Sequence, residues 1–320
     1  AYEEAKSSGF KPEWKSNLGA KPINLNRQVR DITVSDLIPY IDWSPFFWAW
    51  EMKGIFPSIL SSPRWGSEAK KLYQDALAHL DHISKNGLWK PKSVTQIWAC
   101  NSVGDDIEIY KKGSSDSLEK FHFLRQQKEK TEDRIYYSLA DFVAPKSSGF
   151  QDYMGAFALT TGKEVEELAK QYEMKGDDYN SIILKVLGDR LAEAHAEFLH
   201  MTVRVELGIE ERGQWSPDDL IAEKYRGIRP APGYPACPDH TEKKKLWKLM
   251  DVEQNTGITL TENLAMHPAS SISGFYFFHP EAKYFRVGRI QRDQMEDYAK
   301  RKNMPLEEVE KWLSSHLAYS

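Results

Sequence analysis

The chain has 320 residues, of which 41% are hydrophobic and 28% charged, so it has the composition of a folded globular protein rather than a disordered one. Its 43 Lys and Arg residues against 47 Asp and Glu residues give a net charge of −4, which provides no global basic field for nucleic acid. The most apolar cluster, at 43–50, is far shorter than the roughly 20 residues of a membrane-spanning helix. The two cysteines are too few for a disulfide framework or a zinc ribbon, and they favour a reducing, cytoplasmic compartment.

The first 22 residues differ from the rest of the chain. Residues 1–22 are polar, lack apolar periodicity and end in Gly-Ala-Lys-Pro, which predicts a linker or extended arm outside the core. Organised sequence begins near Asn24, so we expect one domain over residues 23–320. The chain begins with Ala rather than Met, which suggests a piece of a longer protein.

Apolar periodicity predicts a mixture of helices and strands. Apolar residues at three- and four-residue spacing predict helices over 66–87, 163–172, 177–207, 291–302 and 305–313, and two shorter helices starting near Ser216 and Thr241. Shorter apolar runs predict strands at 94–99, 107–110, 134–143, 153–160, 271–279 and 283–290. The strands group in a middle and a late block instead of alternating with helices. This grouping favours the α+β class with an antiparallel sheet over a doubly wound fold.

The sequence contains no common catalytic motif. It has no dinucleotide-binding fingerprint, no phosphate-binding P-loop and no Gly-x-Ser-x-Gly nucleophile elbow. Glu197 and His200 have the Glu-x-x-His spacing of di-metal helical bundles, but the second copy that such a site needs is absent. We therefore expect these two side chains to pair locally on a solvated helix face rather than to bind a metal.

A proline-rich loop between Arg229 and His240 is the most unusual segment. Four of its residues are prolines, which fix the backbone and withhold N–H groups, so we expect a stiff loop that does not join a β-ladder. Gly233 allows the backbone to bend or to approach a ligand closely. Arg229 offers a planar fork to a carboxylate, and Tyr234 offers a flat amphipathic ring. A rigid surface connection with a solvent-facing arginine is the alternative.

Two acidic positions fit a binding site for a cation. Asp42 stands beside a dense aromatic cluster, where charge and ring faces together hold a cationic ligand. An aspartate that caps the following turn is the alternative interpretation. Asp189, Glu193 and His200 share one face of the long predicted helix, next to its apolar stripe. The alternative for that face is an ordinary solvated surface.

Five long segments resemble the C-terminal activation domain of cobalamin-dependent methionine synthase. These segments are YIDWSPFFWAWEMKGIFP, GDRLAEAHAEFLH, RGIRPAPGYPACPDHTEK, LTENLAMHPASSISGFYFFHPEAKYF and QRDQMEDYAKRKN. The resemblance extends from about Leu25 to Leu317, with the motifs in the same order. It implies a single large, C-shaped α+β domain with a central antiparallel sheet flanked by helices. The chain lacks a cobalamin-ligand Asp-x-His-x-x-Gly motif and a zinc-thiolate site, so the resemblance implies the activation module alone, isolated from a larger enzyme.

The resemblance also implies which residues bind S-adenosylmethionine. They are Asp42, Glu193, Arg229, Ala231, Gly233, Tyr234, Tyr284 and Phe285. Arg229 would pair with the ligand carboxylate, while Asp42 and Glu193 would balance the ammonium and sulfonium charges. Tyr234 and Tyr284 would pack against the adenosine or the donor methyl group. No catalytic residue and no metal ligand is implied within this chain.

The function implied by the resemblance is reactivation of methionine synthase by reductive methylation. Cob(II)alamin bound by a companion module receives one electron from flavodoxin or a flavoprotein reductase and a methyl group from S-adenosylmethionine. Because cobalt is the nucleophile, this domain would contribute positioning of the methyl donor. Two alternatives stay open: a free-standing S-adenosylmethionine-dependent methyltransferase, and a pure docking module for a corrinoid protein and its reductase.

Overall fold

A computed structural model describes residues 1–14, 22, 24–127 and 134–319 of the chain. The helices are α1 (Tyr2–Ser7), α2 (Val34–Leu37), α3 (Ser44–Trp48), α4 (Gly66–Lys85), α5 (Glu164–Glu173), α6 (Asp178–Glu206), α7 (Pro217–Ile221), α8 (Glu242–Met250), α9 (Val252–Thr256), α10 (Arg292–Lys302) and α11 (Leu306–Trp312). The strands are β1 (Gln28–Asp31), β2 (Lys92–Val103), β3 (Asp106–Tyr110), β4 (Ser117–His122), β5 (Asp152–Thr160), β6 (Thr259–Leu260), β7 (Met266–His267) and β8 (Ser271–Tyr276). Short 3-10 helices lie at Ile38–Tyr40, Ser58–Ser61, Leu139–Phe142, Lys146–Ser148 and Ser314–His316.

Six strands form one central sheet in the order β4-β3-β2-β5-β8, and β1 pairs with the first part of β2. Every pairing in this sheet is antiparallel. In the middle of the sheet, Val94 stands opposite Ala158, which stands opposite Ser273. The α+β class with an antiparallel sheet is therefore confirmed, whereas the C-shaped outline stays a prediction.

Helices cover both faces of the sheet. On one face Trp98, Ala156 and Phe275 pack with Leu246 and Met250 of α8. On the other face, side chains of β5 and β8 pack against the C-terminal half of α6. At 1.5 Å per residue, the 29 residues of α6 span about 43 Å. This length lets its N-terminal half pack in a second core with α2, α3, α4 and α5.

Most predicted elements are present, but two predicted strands are wrong. The segment 134–143 contains the 3-10 helix Leu139–Phe142, and the segment 283–290 contains no strand. In the first segment Tyr137 and Phe142 pack into the core, and the backbone of Tyr136 and Ser138 makes only isolated bridges, with Gly9 and Arg125. In the second, Val287 and Ile290 donate backbone hydrogen bonds to the carbonyls of Pro235, in the proline-rich loop, and of His316, in a 3-10 helix. Core packing and loop pairing thus produce a strand-like pattern without a sheet.

Part of the predicted N-terminal arm is folded. Residues Tyr2–Ser7 form α1, in which Tyr2 and Ala5 are buried. The Tyr2 hydroxyl donates a hydrogen bond to Asp105 at 2.7 Å, and the Tyr2 backbone N–H donates one to Asp293 at 2.7 Å. A six-residue helix with two buried side chains leaves no periodic signal, so the prediction of an arm outside the core is wrong for α1. Residues 15–21 and 23 lie outside the described residues, and the boundary at residue 22 stays a prediction.

Candidate ligand-binding site

A cavity of about 430 Å³ lies on the α6 side of the sheet, beside the edge strand β8. Its lining residues come from β5, α6, the proline-rich loop, β8 and the segment 284–286 that follows β8: Phe157, Glu193, Ala196, Arg229, Pro230, Ala231, Tyr234, Pro235, Ala236, Ile272, Tyr284, Phe285 and Arg286. The lining is mostly apolar, with one acidic and two basic side chains. Such a surface suits a ligand that has both a flat apolar part and charged groups.

The proline-rich loop begins as an extension of the sheet. Ile228 and Phe277 exchange two backbone hydrogen bonds of 3.0 Å, and the Phe275 N–H donates to the Pro230 carbonyl at 2.9 Å. These bonds amount to an isolated bridge at Ile228, just before the loop, and one contact at Pro230, so residues 229–240 form no strand, as the prolines predict. A proline has no N–H to donate, but its carbonyl oxygen still accepts hydrogen bonds. Pro230 can therefore accept a bond from an outward-facing N–H group of the edge strand β8.

Gly233 shapes the turn of this loop without lining the cavity. Its φ angle is +96°, and its N–H donates to the Cys237 carbonyl at 2.7 Å. A Cβ atom at this position would lie 2.1 Å from Cε1 of His240. Only glycine fits both the backbone angle and the space. The turn leaves the Tyr234 side chain 63% exposed beside the cavity.

Arg229 is largely buried and already paired. Its Nη2 lies 2.7 Å from Oε2 of Glu197, and its Nη1 donates a hydrogen bond to the Tyr225 hydroxyl. Its backbone N–H donates to the Tyr284 hydroxyl at 3.0 Å. Burial lowers the pKa of Arg229, but the charge and hydrogen bond of Glu197, together with Tyr225 and Tyr284, outweigh burial and raise that pKa. The alternative of a solvent-facing arginine is therefore wrong.

Glu197 and His200 are buried, so the predicted solvated face of α6 is wrong at these positions. The His200 ring stacks on Tyr276, with centroids 4.8 Å apart and an interplanar angle of 12°. Burial lowers the pKa of His200 well below its usual range, and the nearby charges of Arg204 and Arg229 lower it further. His200 is therefore a neutral core residue. Within the described residues, no group of three or more His, Cys, Asp or Glu side chains is placed to hold a metal ion.

The structure brings six of the eight predicted site residues to this cavity: Glu193, Arg229, Ala231, Tyr234, Tyr284 and Phe285. Gly233 acts through the shape of the loop. Asp42 instead lines a second cavity, of about 560 Å³, which shares no lining residue with the first. One Asp42 carboxylate oxygen accepts a hydrogen bond from the Ser44 N–H at 3.0 Å, the geometry of a turn cap.

Sequence reasoning missed several residues that complete the site. Phe157 and Ile272 contribute apolar surface from the sheet, and Ala196 contributes a small side chain on α6. Glu197 and Tyr225 lie behind the cavity and contact Arg229. The four-residue spacing of Glu193 and Glu197 places them on neighbouring turns of α6, which is a usable signal. No local pattern indicates the pairing of Tyr225 with Arg229.

Comparison with known proteins shows the family to which this chain is related. A family model described as the vitamin B12 dependent methionine synthase, activation domain, matches residues 33–303. This chain belongs to that family. The crystal structure of the MetH reactivation domain bound to AdoHcy (S-adenosylhomocysteine) is 48% identical in sequence, with a TM-score of 0.97, and the match covers 100% of this chain and 99% of that chain.

Family membership confirms the resemblance and the fold class expected from it. It places the chain in a cobalamin-dependent methyltransferase, as the activation domain that works with a cobalamin domain.

Among the residues that the structure describes, no helix is both long and apolar enough to cross a bilayer.

Proposed function

We propose that this chain binds S-adenosylmethionine in the cavity between α6 and the proline-rich loop. The proposed contact residues that line the cavity are Glu193, Arg229, Ala231, Tyr234, Tyr284 and Phe285, and Gly233 is proposed to contribute through the shape of the loop. The observation that carries the proposal is that positions from α6 and from two separate loops, chosen from the sequence, converge on one cavity. The AdoHcy bound in the related MetH domain supports the same ligand class.

Each charged part of the ligand has a chemical counterpart in the cavity. A guanidinium has five N–H donors, and the contacts with Glu197 and Tyr225 occupy only two, so Arg229 keeps donors for the ligand carboxylate. The exposed carboxylate of Glu193 faces the ammonium or the sulfonium. Tyr234 and Tyr284 offer ring faces to the adenosine or the donor methyl group.

Asp42 remains a proposed ligand contact on the resemblance alone. Its position in a second cavity and its bond to Ser44 fit a turn cap as well. The Asp42→Asn variant distinguishes these roles when its affinity for S-adenosylmethionine is compared with its affinities for AdoHcy, which lacks the sulfonium charge, and for an analogue that lacks the amino group. A larger loss for S-adenosylmethionine than for either analogue supports direct contact, whereas equal losses for all three ligands support the cap.

We further propose that the bound S-adenosylmethionine supplies its methyl group for the reductive methylation of cob(II)alamin. Cobalamin would be held by the cobalamin-binding module of the same methionine synthase, in the cytoplasm, with flavodoxin or a flavoprotein reductase as the electron donor. Other modules of that enzyme would carry out the 5-methyltetrahydrofolate–homocysteine reaction. This chain orients the methyl donor and keeps water from it, and the lining of the cavity contains no Ser, Cys or His nucleophile.

The mouth of the cavity is the proposed docking face for the cobalamin module. Methyl transfer requires the donor carbon to come within about 3–3.5 Å of its acceptor, so the ligand must be reachable from outside. Tyr234 and Tyr284 are 63% and 45% exposed beside the cavity. Hydrogen exchange of this chain with and without the cobalamin module should show protection at 185–200 and 229–240. Protection confined to other segments would contradict this docking face.

A titration followed by a transfer assay tests the proposed function. Calorimetric titration of the chain with S-adenosylmethionine should show binding, and methyl transfer should appear only after the cobalamin module and a reductant are added. Transfer to a small nucleophile without a corrinoid would favour the free-standing methyltransferase. Absence of binding would favour the pure docking module.

A further inference from the structure

We propose that Glu197 and Tyr225 are positioning residues that hold the Arg229 guanidinium ready for the ligand carboxylate, so that they determine selectivity for a ligand carrying an α-carboxylate. This inference rests on the proposed function, because it assigns the cavity to S-adenosylmethionine. It adds two residues that do not line the cavity and therefore act on the ligand only through Arg229.

The two contacts to Arg229 fix both terminal nitrogens of its side chain. Nη2 is 2.7 Å from the Glu197 carboxylate, and Nη1 donates to the Tyr225 hydroxyl. The Glu197 side chain is only 6% exposed and that of Arg229 only 16%. A charged pair that is so little exposed to solvent keeps a defined geometry, because water cannot replace either partner as a hydrogen-bonding group. The guanidinium plane is thus set before any ligand arrives.

Tyr225 is itself held in place by a buried cluster of side chains. The guanidinium carbon of Arg204 lies 3.8 Å from the centroid of the Tyr225 ring, and the His200 ring meets the same ring edge-on with centroids 5.1 Å apart. Arg204 is in turn 2.9 Å from the carboxylate of Glu210. These side chains are buried at nine-tenths or more. These contacts fix the orientation of the Tyr225 ring and therefore the position of its hydroxyl group.

Such support affects binding because arginine is a long side chain with many rotamers. Ordering it only when the ligand arrives would oppose binding through the loss of side-chain entropy. Glu193, one turn earlier on α6, is exposed and lines the cavity, whereas Glu197 is buried behind it. The two acids therefore have different tasks: Glu193 faces the ligand and Glu197 faces Arg229.

The test compares two ligands that differ only in the carboxylate, S-adenosylmethionine and decarboxylated S-adenosylmethionine. The variants are Glu197→Gln, which removes the charge at constant shape, and Tyr225→Phe, which removes the hydroxyl and keeps the ring against Arg204. Glu206→Gln is the matched control, since Glu206 also lies on α6 and pairs with an arginine, Arg30, at 2.8 Å, but outside the cavity. Calorimetry gives the affinities, and thermal melts report folding.

We expect Glu197→Gln and Tyr225→Phe each to weaken S-adenosylmethionine binding by about fivefold or more, and to change the decarboxylated ligand by less than about twofold. The control should change neither affinity. Equal losses for both ligands, no loss, or tighter binding of S-adenosylmethionine would overturn the inference. Failure of the wild-type chain to bind S-adenosylmethionine would instead contradict the proposed function.

A measurement without ligand tests the same inference independently. In the wild-type chain, NMR should show restricted rotation of the Arg229 guanidinium, with separate signals for its Nη protons. Glu197→Gln should speed this rotation, while Glu206→Gln should not affect it. Rapid rotation in the wild type, or rotation unchanged by Glu197→Gln, would show that Glu197 does not hold the side chain.

Discussion

At the level of single residues, six of the eight site residues predicted from the sequence line the cavity, but the residues that support them from behind were not predicted. Arg229 and Tyr234 stand in a segment whose composition is unusual enough to be noticed by itself. The pairing of Arg229 with Glu197 joins a loop to a helix, and the contact with Tyr225 depends on the path of the chain after α7. Tertiary contacts of this kind leave no periodic pattern in a sequence.

The buried ion pair predicts that Arg229→Ala has two effects. Ligand affinity should fall by about tenfold or more, because a charged hydrogen bond to the carboxylate is lost. The free energy of unfolding should also fall, by about 3 kcal/mol, since Glu197 is left buried without its partner. A solvent-facing arginine would instead leave the free energy of unfolding almost unchanged. Calorimetry and urea denaturation measure the two effects.

A double variant separates stability from binding. Arg229→Met combined with Glu197→Leu removes both charges and should recover most of the lost stability, because an apolar pair of similar size replaces the ion pair. Ligand binding should stay weak. Recovery of binding together with stability would show that Arg229 contributes only to the fold.

Gly233 offers a second prediction at this level. Gly233→Ala should weaken S-adenosylmethionine binding by about tenfold, because the new Cβ would collide with the His240 ring and displace the turn. Gly87→Ala is the matched control: its φ angle is also positive, at +56°, but a Cβ there meets nothing within 4 Å. Equal affinities for the two variants, measured by calorimetry, would refute a role for the turn in binding.

At the level of elements, helices were predicted better than strands. The apolar stripes of α4 and α6 face cores for most of their length, so their periodicity is complete. The strands of the sheet were harder to predict, because β2 and β5 are buried at nearly every residue and their sequences show little alternation of apolar and polar residues. The addition of the proline-rich loop to β8 was unpredictable from residue preferences, since it uses carbonyl acceptors of a segment poor in N–H groups.

The contact between the proline-rich loop and β8 predicts the effect of a larger side chain at Gly274. Gly274→Ala should weaken ligand binding by about fivefold, because its Cβ would lie 2.8 Å from the Pro230 carbonyl oxygen and 3.0 Å from the Phe157 ring, and both residues line the cavity. Gly66→Ala is the control, since its Cβ would approach another carbonyl oxygen, that of Leu60, at 2.9 Å, away from the cavity. If calorimetry gives the same affinity for both variants, the loop does not depend on β8.

For the molecule as a whole, a buried charge cluster ties the C-terminal helices to the end of the proline-rich loop. Lys302 of α10 lies 2.8 Å from the carboxylate of Asp239 and also pairs with Glu242 of α8. Burial raises the pKa of Asp239, but the charge and hydrogen bond of Lys302, together with the hydrogen bonds from Thr241, outweigh burial and hold that pKa below its ordinary value of 3.8. Ionised Asp239 therefore contributes its full stabilisation above pH 3.8. This contribution is lost as the pH falls through the lower pKa that Asp239 has in the folded state.

The cluster predicts that Lys302→Met lowers the free energy of unfolding by about 3–5 kcal/mol, because Asp239 loses its cationic partner and Glu242 keeps only Lys245. Lys300→Met is the matched control, as Lys300 lies on the same helix but is exposed. Urea denaturation at neutral pH measures both. A loss no larger than that of the control would show that Lys302 does not link α10 to the loop.

A crystal structure of this chain with AdoHcy tests the proposed binding site most directly. We predict that the ligand lies between α6 and the proline-rich loop, with its carboxylate within hydrogen-bond distance of the Arg229 guanidinium and its adenosine against Tyr234 or Tyr284. A ligand held entirely in the second cavity beside Asp42, or one whose carboxylate makes no contact with Arg229, would contradict the account.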